Sequence, residues 1–208
     1  MMSREKPLKL AVLISGGGRS LENMAEAIAD AGFAAEIVKV ISSHPDVYGL
    51  ERAKKLGLPH EVVDFRTEGA NFSSAITAAV ENSGADLVVM AGFIRKWEFP
   101  ERYQLRVLNI HPALLPAFGG KGYYGGRVHQ AVIDSGAKFS GCTVHFANLE
   151  YDRGPIILQR VIPVLPADTA DTLASRVFDE ECIAYPEAIR YIAEDRLDFR
   201  DGRVCVRD

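Results

Sequence analysis

The feature that most constrains this 208-residue chain is a regular alternation of short apolar runs with helical patterns. Residues 8–14 and 36–42 are runs of this kind, and each is followed by an amphipathic stretch of helical period. Residues 86–91 read D-L-V-V-M-A, as expected for a central strand that is covered on both faces. Strand–helix alternation favours βαβ units with right-handed crossovers. The sequence therefore predicts an α/β fold with a doubly wound, mostly parallel sheet.

The same reading divides the rest of the chain into helices and strands without a linker or an internal repeat. Helices are predicted at residues 20–30, 47–56, 72–82, 128–135 and 169–194, the last interrupted or kinked near Pro186. Further strands are predicted at residues 60–64, 107–110, 141–146 and 155–163, and a hairpin at 197–200 and 203–206. The late strands pair locally, so the C-terminal portion is expected to be antiparallel. A single domain over residues 1–208 is predicted.

Composition and spacing exclude several classes of protein. The formal net charge is −4 and no long Lys/Arg run occurs, so no nucleic-acid partner is expected. The apolar run at residues 10–14 is too short for a signal or membrane segment, so no membrane partner is expected either. Cys142, Cys182 and Cys205 form no C-x-x-C pair, which favours a reducing compartment and a cytoplasmic location. No ligand-like His or Cys spacing occurs, so no metal is predicted.

A glycine-rich turn, S-G-G-G-R-S at residues 15–20, lies between the first predicted strand and the first predicted helix. Glycines let the backbone approach a ligand, and a helix N-terminus offers unpaired N–H groups to an anion. The turn matches neither the nucleoside-triphosphate nor the dinucleotide glycine motif. Two interpretations remain open. The turn is either a phosphate-binding loop at Gly17, Gly18, Arg19 and Ser20, or a tight βα turn capped by Ser20.

Asn109 and His111 end a predicted strand, in the run Asn-Ile-His-Pro. They should therefore lie at the carboxyl edge of the sheet, where open α/β sheets bind ligands. Alternation places both side chains on one side of the extended segment, with Ile110 facing away. An amide and an imidazole side by side suit a developing oxyanion. The alternative is a loop-capping asparagine beside a partly buried histidine whose hydrogen bonds are satisfied.

Thr143 and His145 share a strand face, and Asp152 follows on a turn. A carboxylate beside an imidazole raises the imidazole pKa and fixes the orientation of the ring. Spacing alone allows Asp152 to partner either His111 or His145. The plainer alternative makes Asp152 a turn residue before Gly154, and His145 a strand residue paired across the sheet.

The segment at residues 119–126 reads G-G-K-G-Y-Y-G-G. Its glycines permit movement, and Tyr123 and Tyr124 could cover a ligand, which predicts a lid. An ordinary surface loop is the equally weighted alternative.

Taken in order, these motifs resemble those of the folate-dependent formyltransferases. The resemblance rests on L-I-S-G-G-G, on A-G-F-I-R at residues 91–95, on L-N-I-H-P-A-L-L-P at 108–116, and on G-C-T-V-H-F followed by D-R-G-P-I-I-L-Q. It covers about residues 9–200, and it favours the branch of the family that acts on glycinamide ribonucleotide in purine biosynthesis. The formyltransferase fold that it implies is Rossmann-like, in agreement with the βα reading.

The resemblance implies roles for individual residues. The catalytic residues would be Asn109, His111 and Asp152, supported by Thr143 and His145. The glycinamide ribonucleotide would contact Gly17, Gly18, Arg19, Ser20 and Glu181. The folate would contact Ile94, Arg95, Lys96, Trp97 and Asn109. The implied co-substrate is 10-formyltetrahydrofolate, with no tightly bound cofactor and no metal, and the protein would be a monomer or a homodimer.

The implied reaction is attack of the glycinamide amine on the formyl carbon. Asn109 and a protonated His111 would stabilise the tetrahedral oxyanion. Asp152 would raise the pKa of His111 and so keep the ring charged near neutral pH. A proton would pass to the departing folate nitrogen through water held by Asp152 and Thr143.

The sequence departs from the common family pattern in four places. The phosphate loop reads G-G-G-R-S in place of G-N-G-S-N, Lys96-Trp97 replaces a smaller apolar pair, and the 119–126 loop is longer. An arginine expected near Gly69 has no match, although Arg66 could substitute. The competing functions are a formyltetrahydrofolate deformylase and a non-catalytic protein that binds folate or ribonucleotide.

Overall fold

The computed structural model describes residues 6–31 and 33–207. The strands in these ranges are β1 (Leu8–Ile14), β2 (Ala35–Ser42), β3 (His60–Val62), β4 (Leu87–Met90), β5 (Val107–His111), β6 (Phe139–Phe146), β7 (Ile156–Pro163), β8 (Leu197–Arg200) and β9 (Arg203–Val206). The α-helices are α1 (Arg19–Ala31), α2 (Tyr48–Lys55), α3 (Phe65–Glu68), α4 (Phe72–Ser83), α5 (Gly126–Asp134) and α6 (Ala170–Ala193). Short 3₁₀ helices occupy Gly69–Asn71 and Glu101–Tyr103.

The strands form a seven-stranded sheet with the order β3-β2-β1-β4-β5-β6-β7 and a separate two-stranded sheet, β8-β9. The pairs of β1 with β2, β1 with β4 and β2 with β3 are parallel, whereas β6 and β7 are antiparallel. The predicted α/β class, with a mostly parallel sheet and an antiparallel C-terminal portion, is confirmed.

Some observed elements differ from the predicted ones. β3 ends at Val62 because the Asp64 carboxylate accepts the backbone N–H of Arg66 and begins the unpredicted helix α3. β6 starts at Phe139, two residues before its predicted start. The long C-terminal helix was predicted to be interrupted or kinked near Pro186; α6 continues through Pro186, so there is no interruption, and the kink stays a prediction.

The described residues fall into two compact units, which are considered separately below. The first unit contains the residues up to Leu108 and the segment Ile192–Asp195, and the second contains Asn109–Tyr191 and the residues from Arg196 onward. The prediction of one domain stays a prediction. None of the described helices combines the length and apolarity needed to span a membrane.

The first unit is built around β1, of which every residue except Lys9 is buried. Leu21 and Met24 of α1 and Ile76 of α4 are fully buried, and each such side chain contributes roughly 1.5–3 kcal/mol by leaving water. β1 and β4 are parallel neighbours, so their carboxyl ends lie at one edge. The glycine turn and the segment after β4 therefore lie side by side.

The second unit depends on a close approach of β6 to its neighbours. A Cβ at Gly141 would lie 1.9 Å from the carbonyl oxygen of Arg160 on β7, and one at Gly154 would lie 1.7 Å from the carbonyl oxygen of Phe146. No side chain fits at either position without moving the backbone. Gly154 thus draws the turn that carries Asp152 against the end of β6.

Candidate functional site

Asn109, His111, His145 and Asp152 form one polar network within the second unit. Asn109 Nδ2 lies 3.1 Å from His145 Nε2. Asp152 lies between the two imidazoles, with Oδ2 at 3.6 Å from His111 Nδ1 and Oδ1 at 3.7 Å from His145 Nε2. The two partners left open for Asp152 are therefore both its neighbours.

Local backbone geometry places Asp152 in this network. The residue adopts a left-handed conformation, with φ 57°, which aspartate tolerates better than most residues. Its Oδ2 accepts the backbone N–H of Gly120 at 2.8 Å. A Cβ at Gly119 would lie 2.4 Å from a methyl carbon of Leu115 and 3.2 Å from the Cβ of Asp152. A larger residue at position 119 would have to displace the Leu115 methyl group and would press on Asp152.

His145 lies in direct contact with Asn109. Its Nδ1–H donates to the carbonyl of Phe146 at 3.0 Å, so in the neutral ring Nε2 accepts from Asn109. An amide nitrogen carries two N–H groups, and this contact uses one of them. His145 thus orients Asn109 so that a second N–H is available to a ligand oxygen.

His111 is hydrogen-bonded through one ring nitrogen, and its other ring nitrogen lies near Asp152. Its Nε2–H donates to the carbonyl of Phe118 at 2.8 Å, and Nδ1 faces Asp152. Only 4% of the residue is exposed. Because Nε2 carries the proton in the neutral ring, Nδ1 carries the lone pair. The tautomer is therefore fixed by the backbone at Phe118, which sequence patterns do not reveal.

The burial of His111 changes the charge state that is expected for its imidazole. Burial lowers the pKa of His111, and it outweighs the upward influence of Asp152 and of the hydrogen bond to Phe118. The net pKa lies below the ordinary value. The direction of this shift favours a neutral imidazole near neutral pH, against the expectation that Asp152 keeps it protonated.

Asp152 is ionised. Burial alone would raise the pKa of Asp152, but the proximity of His145, the hydrogen bond from the Gly120 N–H and the proximity of His111 together lower it below its ordinary value. The network thus holds a carboxylate beside a neutral His111. A proton that reaches this imidazole is stabilised by the adjacent negative charge.

The hydroxyl of Thr143 makes all of its hydrogen bonds to other residues of the protein. Its fully buried hydroxyl donates to the carbonyl of Ala113 at 2.7 Å and accepts from the Leu115 N–H at 3.0 Å and from Gln159 Nε2 at 2.9 Å. One donor and two acceptor positions are then in use. The expected role of Thr143 in holding a catalytic water is replaced by a structural one, in which it fixes residues 113–115 after His111.

His129 is a further buried imidazole, on α5, to which the sequence assigned no role. Among the described residues, its Nδ1 has no hydrogen-bond partner. Burial lowers the pKa of His129, and the charge of His111 lowers it further. The second unit therefore buries two imidazoles, His111 and His129, that each resist protonation.

We expect these histidines to make stability depend on pH. A histidine whose pKa is depressed by folding binds its proton more readily when unfolded, so stability falls as pH drops from about 6.5 through the depressed pKa. In His129→Phe, the loss of unfolding free energy between about pH 7.5 and 5.5 should shrink by up to ~1.4 kcal/mol per pH unit. Urea denaturation at both pH values measures this loss, and an equal or larger loss in the variant contradicts the expectation.

The glycine turn of the first unit is held rigidly against α2. A Cβ at Gly18, which has φ +73°, would lie 2.6 Å from the Cα of Gly49. The Gly49 N–H donates to the Gly16 carbonyl at 3.1 Å, and Arg52 donates to the Gly17 carbonyl while pairing with Glu22 at 2.7 Å. The backbone of the turn is therefore fixed before any ligand arrives.

The turn leads directly into a helix, as expected. Since α1 begins at Arg19, Ser20 lies inside its first turn and is not its cap. The Glu22 N–H donates to the Gly18 carbonyl at 3.1 Å, so the helical hydrogen bonding of α1 runs from the last glycine of the turn. This arrangement suits an anion.

The side chains of the segment after β4 differ in their exposure to solvent. Ile94 is 60% exposed, and Arg95 lies over the ring of Phe65 at 4.4 Å. Lys96 pairs with Glu98 at 2.7 Å. The side chain of Trp97, by contrast, is buried and donates to Thr77 Oγ1 at 3.1 Å. The indole is therefore part of the core, and at position 97 only the backbone is left for the proposed contact with folate.

Two other expected ligand residues lie apart from these segments in the sequence. Glu181 is half-buried on α6 of the second unit. Burial raises the pKa of Cys142 on β6 to about 12, and the charge of Glu181 contributes to this rise. Arg66 is exposed on α3 of the first unit, three residues before Gly69.

Within the described ranges, no group of three or more His, Cys, Asp or Glu residues could hold a metal ion.

Comparison with known proteins assigns a family to this arrangement. Residues 8–189 match the family model described as "Formyl transferase". The chloroplastic phosphoribosylglycinamide formyltransferase of Arabidopsis thaliana is 40% identical over 201 residues, which cover 94% of this chain and 69% of the relative. The phosphoribosylglycinamide formyltransferase of Haemophilus influenzae is 36% identical over 198 residues, covering 93% of this chain and 91% of the relative.

A solved structure gives the same result. The crystal structure of glycinamide ribonucleotide transformylase 1 from Symbiobacterium toebii superposes with a TM-score of 0.91 at 37% identity, covering 99% of this chain and 96% of the other. Sequence and fold therefore agree over nearly the whole chain, and the chain belongs to the formyl transferase family.

Proposed function

We propose that this protein transfers the formyl group of 10-formyltetrahydrofolate to the amine of glycinamide ribonucleotide, giving formylglycinamide ribonucleotide and tetrahydrofolate. The observation that carries the proposal is the network of Asn109, His145, Asp152 and His111, in a chain whose relatives are named for this activity. The reaction serves purine biosynthesis.

The chemistry follows from the atoms of the network. The substrate amine attacks the formyl carbon, which forms a C–N bond and places negative charge on the formyl oxygen. The second Nδ2–H of Asn109 donates to that oxygen. His111 enters the reaction neutral, and its Nδ1 accepts a proton from the attacking nitrogen. The imidazolium so formed is stabilised by Asp152 at 3.6 Å.

Collapse of the tetrahedral adduct completes the transfer. The carbonyl reforms as the bond from carbon to the folate nitrogen breaks, and His111 returns its proton to that nitrogen. The imidazole is neutral again, so one catalytic cycle leaves the protein unchanged. Each proton transfer in this reaction passes through the imidazole of His111, whose orientation is fixed by the Phe118 carbonyl.

Binding is proposed for separate segments. The phosphate is assigned to Gly17, Gly18, Arg19 and Ser20, where the start of α1 and the Arg19 charge favour an anion. The folate ring is assigned to the exposed part of residues 94–97, and its acidic tail to the cations Arg95 and Arg66. Glu181 is proposed to accept from the glycinamide end.

The remaining expectations stay predictions. They are a reaction without metal or tightly bound cofactor, a monomer or homodimer, no nucleic-acid or membrane partner, and a cytoplasmic location. The three described cysteines are free thiols, which suits a reducing compartment.

An absorbance assay of folate turnover tests the proposal. Purified protein is mixed with 10-formyltetrahydrofolate, with and without glycinamide ribonucleotide. We expect release of tetrahydrofolate that depends on the ribonucleotide, with stoichiometric formylation of its amine. Equal release without ribonucleotide would identify a deformylase instead. Binding of either ligand without any turnover would indicate a non-catalytic binding protein.

A further inference from the structure

We propose that Ser15 is a positioning residue that holds the phosphate loop and the folate-binding segment in register. The inference rests on the proposed function and deepens it. Ser15 is the first residue after β1 and stands directly before the three glycines of the loop. It belongs to neither set of proposed ligand contacts.

Two hydrogen bonds join Ser15 to the segment after β4. The Ser15 N–H donates to the carbonyl of Gly92 at 3.2 Å, and the N–H of Ile94 donates to Ser15 Oγ at 3.1 Å. Within the sheet, β1 and β4 pair up to Leu13 and Met90, and the Ala91 N–H donates to the Leu13 carbonyl at 2.8 Å. The hydrogen bonds between the two strands therefore continue past their ends. The last of them is made by the Ser15 side chain, where regular backbone pairing has stopped.

A second hydroxyl, that of Ser43, contacts the first. Ser15 Oγ lies 2.7 Å from Ser43 Oγ, and Ser43 is buried with its N–H donating to the Ile14 carbonyl at 3.0 Å. A hydroxyl has one proton and two lone pairs, so the bonds to Ile94 and Ser43 leave it little rotational freedom. Three segments that follow β1, β2 and β4 meet at this one side chain.

The backbone on both sides of Ser15 is otherwise constrained by different partners. The glycine loop is held by Gly49 and Arg52 of α2, whereas the segment after β4 is anchored by the Trp97 indole on Thr77 of α4. From its place just before the loop assigned to the ribonucleotide, the Ser15 side chain hydrogen-bonds Ile94, a residue assigned to the folate. Its loss should let Ile94 shift relative to the loop.

Three variants separate this role from a general effect on folding. Ser15→Ala removes both hydroxyl contacts. Ser43→Ala removes only the contact between the two hydroxyls and leaves the Ile94 N–H paired with Ser15, so it is the matched control. Ser15→Thr keeps the hydroxyl and tests rescue. Steady-state kinetics give KM for each substrate and kcat, and amide hydrogen exchange of residues 91–97 reports the Ile94 N–H without any ligand.

Trp97 provides a direct binding signal, because it is the single tryptophan of the chain and lies in the segment concerned. Titration with 5-formyltetrahydrofolate, a stable folate probe, is followed by tryptophan fluorescence. In Ser15→Ala we expect KM for the formyl donor and the Kd of the probe to rise about 3- to 10-fold, as for one lost hydrogen bond. We also expect faster exchange at Ile94 and a kcat within about threefold of wild type.

The comparison among variants decides the proposal. Ser43→Ala and Ser15→Thr should stay within about twofold of wild type in both KM values. An equal rise in KM in Ser15→Ala and Ser43→Ala, or unchanged exchange at Ile94 in Ser15→Ala, would overturn the role of Ser15. A wild-type protein without ribonucleotide-dependent turnover would instead reject the proposed function, while the exchange measurement still judges the Ser15–Ile94 bond.

Discussion

His111→Ala is expected to lower kcat by ~10³-fold while both substrates still bind. The substitution removes the atom that receives the proton from the attacking amine and returns it to the folate nitrogen. It alters no residue of the glycine turn or of the segment after β4, to which substrate binding is assigned. Single-turnover kinetics with saturating substrates measure the chemical step, and fluorescence titration measures binding.

The matched control is His60→Ala, which removes an exposed histidine from β3. This variant should keep wild-type kcat, because His60 is not part of the network. If His111→Ala retains more than about a tenth of the wild-type rate, the role assigned to His111 is wrong. Circular dichroism and urea denaturation establish that each variant is folded under the assay conditions.

Much of the fold followed from local pattern. β1 was predicted with its observed bounds, because a continuous apolar run before a glycine turn leaves little choice. The short helix α3 was missed because its start depends on one Asp64 side chain and its four residues show no period. Pattern alone left open whether the helix over residues 169–194 is interrupted or kinked at Pro186, because tertiary packing of a long apolar face can outweigh the local cost of proline.

The site was predictable only in part. Alternation on one strand placed Asn109 and His111 together, and this local argument needs no knowledge of the fold. The position of Asp152 between His111 and His145 is a long-range property, set by the glycine contacts of residues 119 and 154. Spacing could not choose between the two histidines, and the folded chain uses both.

Burial determines two properties that the sequence alone does not show: the pKa of His111 and which polar groups are free to contact a ligand. The pKa of His111 depends on whether desolvation or the Asp152 charge dominates, and neither is visible in a motif. The indole of Trp97 and the hydroxyl of Thr143 were expected near the ligands, but each is taken up by partners inside the fold. The residue types indicated which side chains could bind a ligand or move a proton. Only the packing showed which of their polar atoms are not already hydrogen-bonded within the fold.

Asp152→Asn is expected to lower kcat by about 10²-fold or more, since a charge-assisted interaction contributes ~3 kcal/mol to a buried cation. The amide still offers an oxygen to the Gly120 N–H, so the loop can keep its contact with position 152. What is lost is the negative charge beside His111 Nδ1. The imidazolium formed during the reaction is then buried without a counter-charge.

The pH profile separates this electrostatic role from a loss of shape. In the wild type, the rate should rise with pH as His111 becomes neutral, through a pKa already depressed by burial. Asp152 acts to raise that pKa, so the acid limb of kcat in Asp152→Asn should move to lower pH. Asp134→Asn, on the exposed surface of α5, should change neither rate nor profile. An acid limb that stays in place while kcat falls would mean that Asp152 acts through the loop contact with Gly120 and not through its charge.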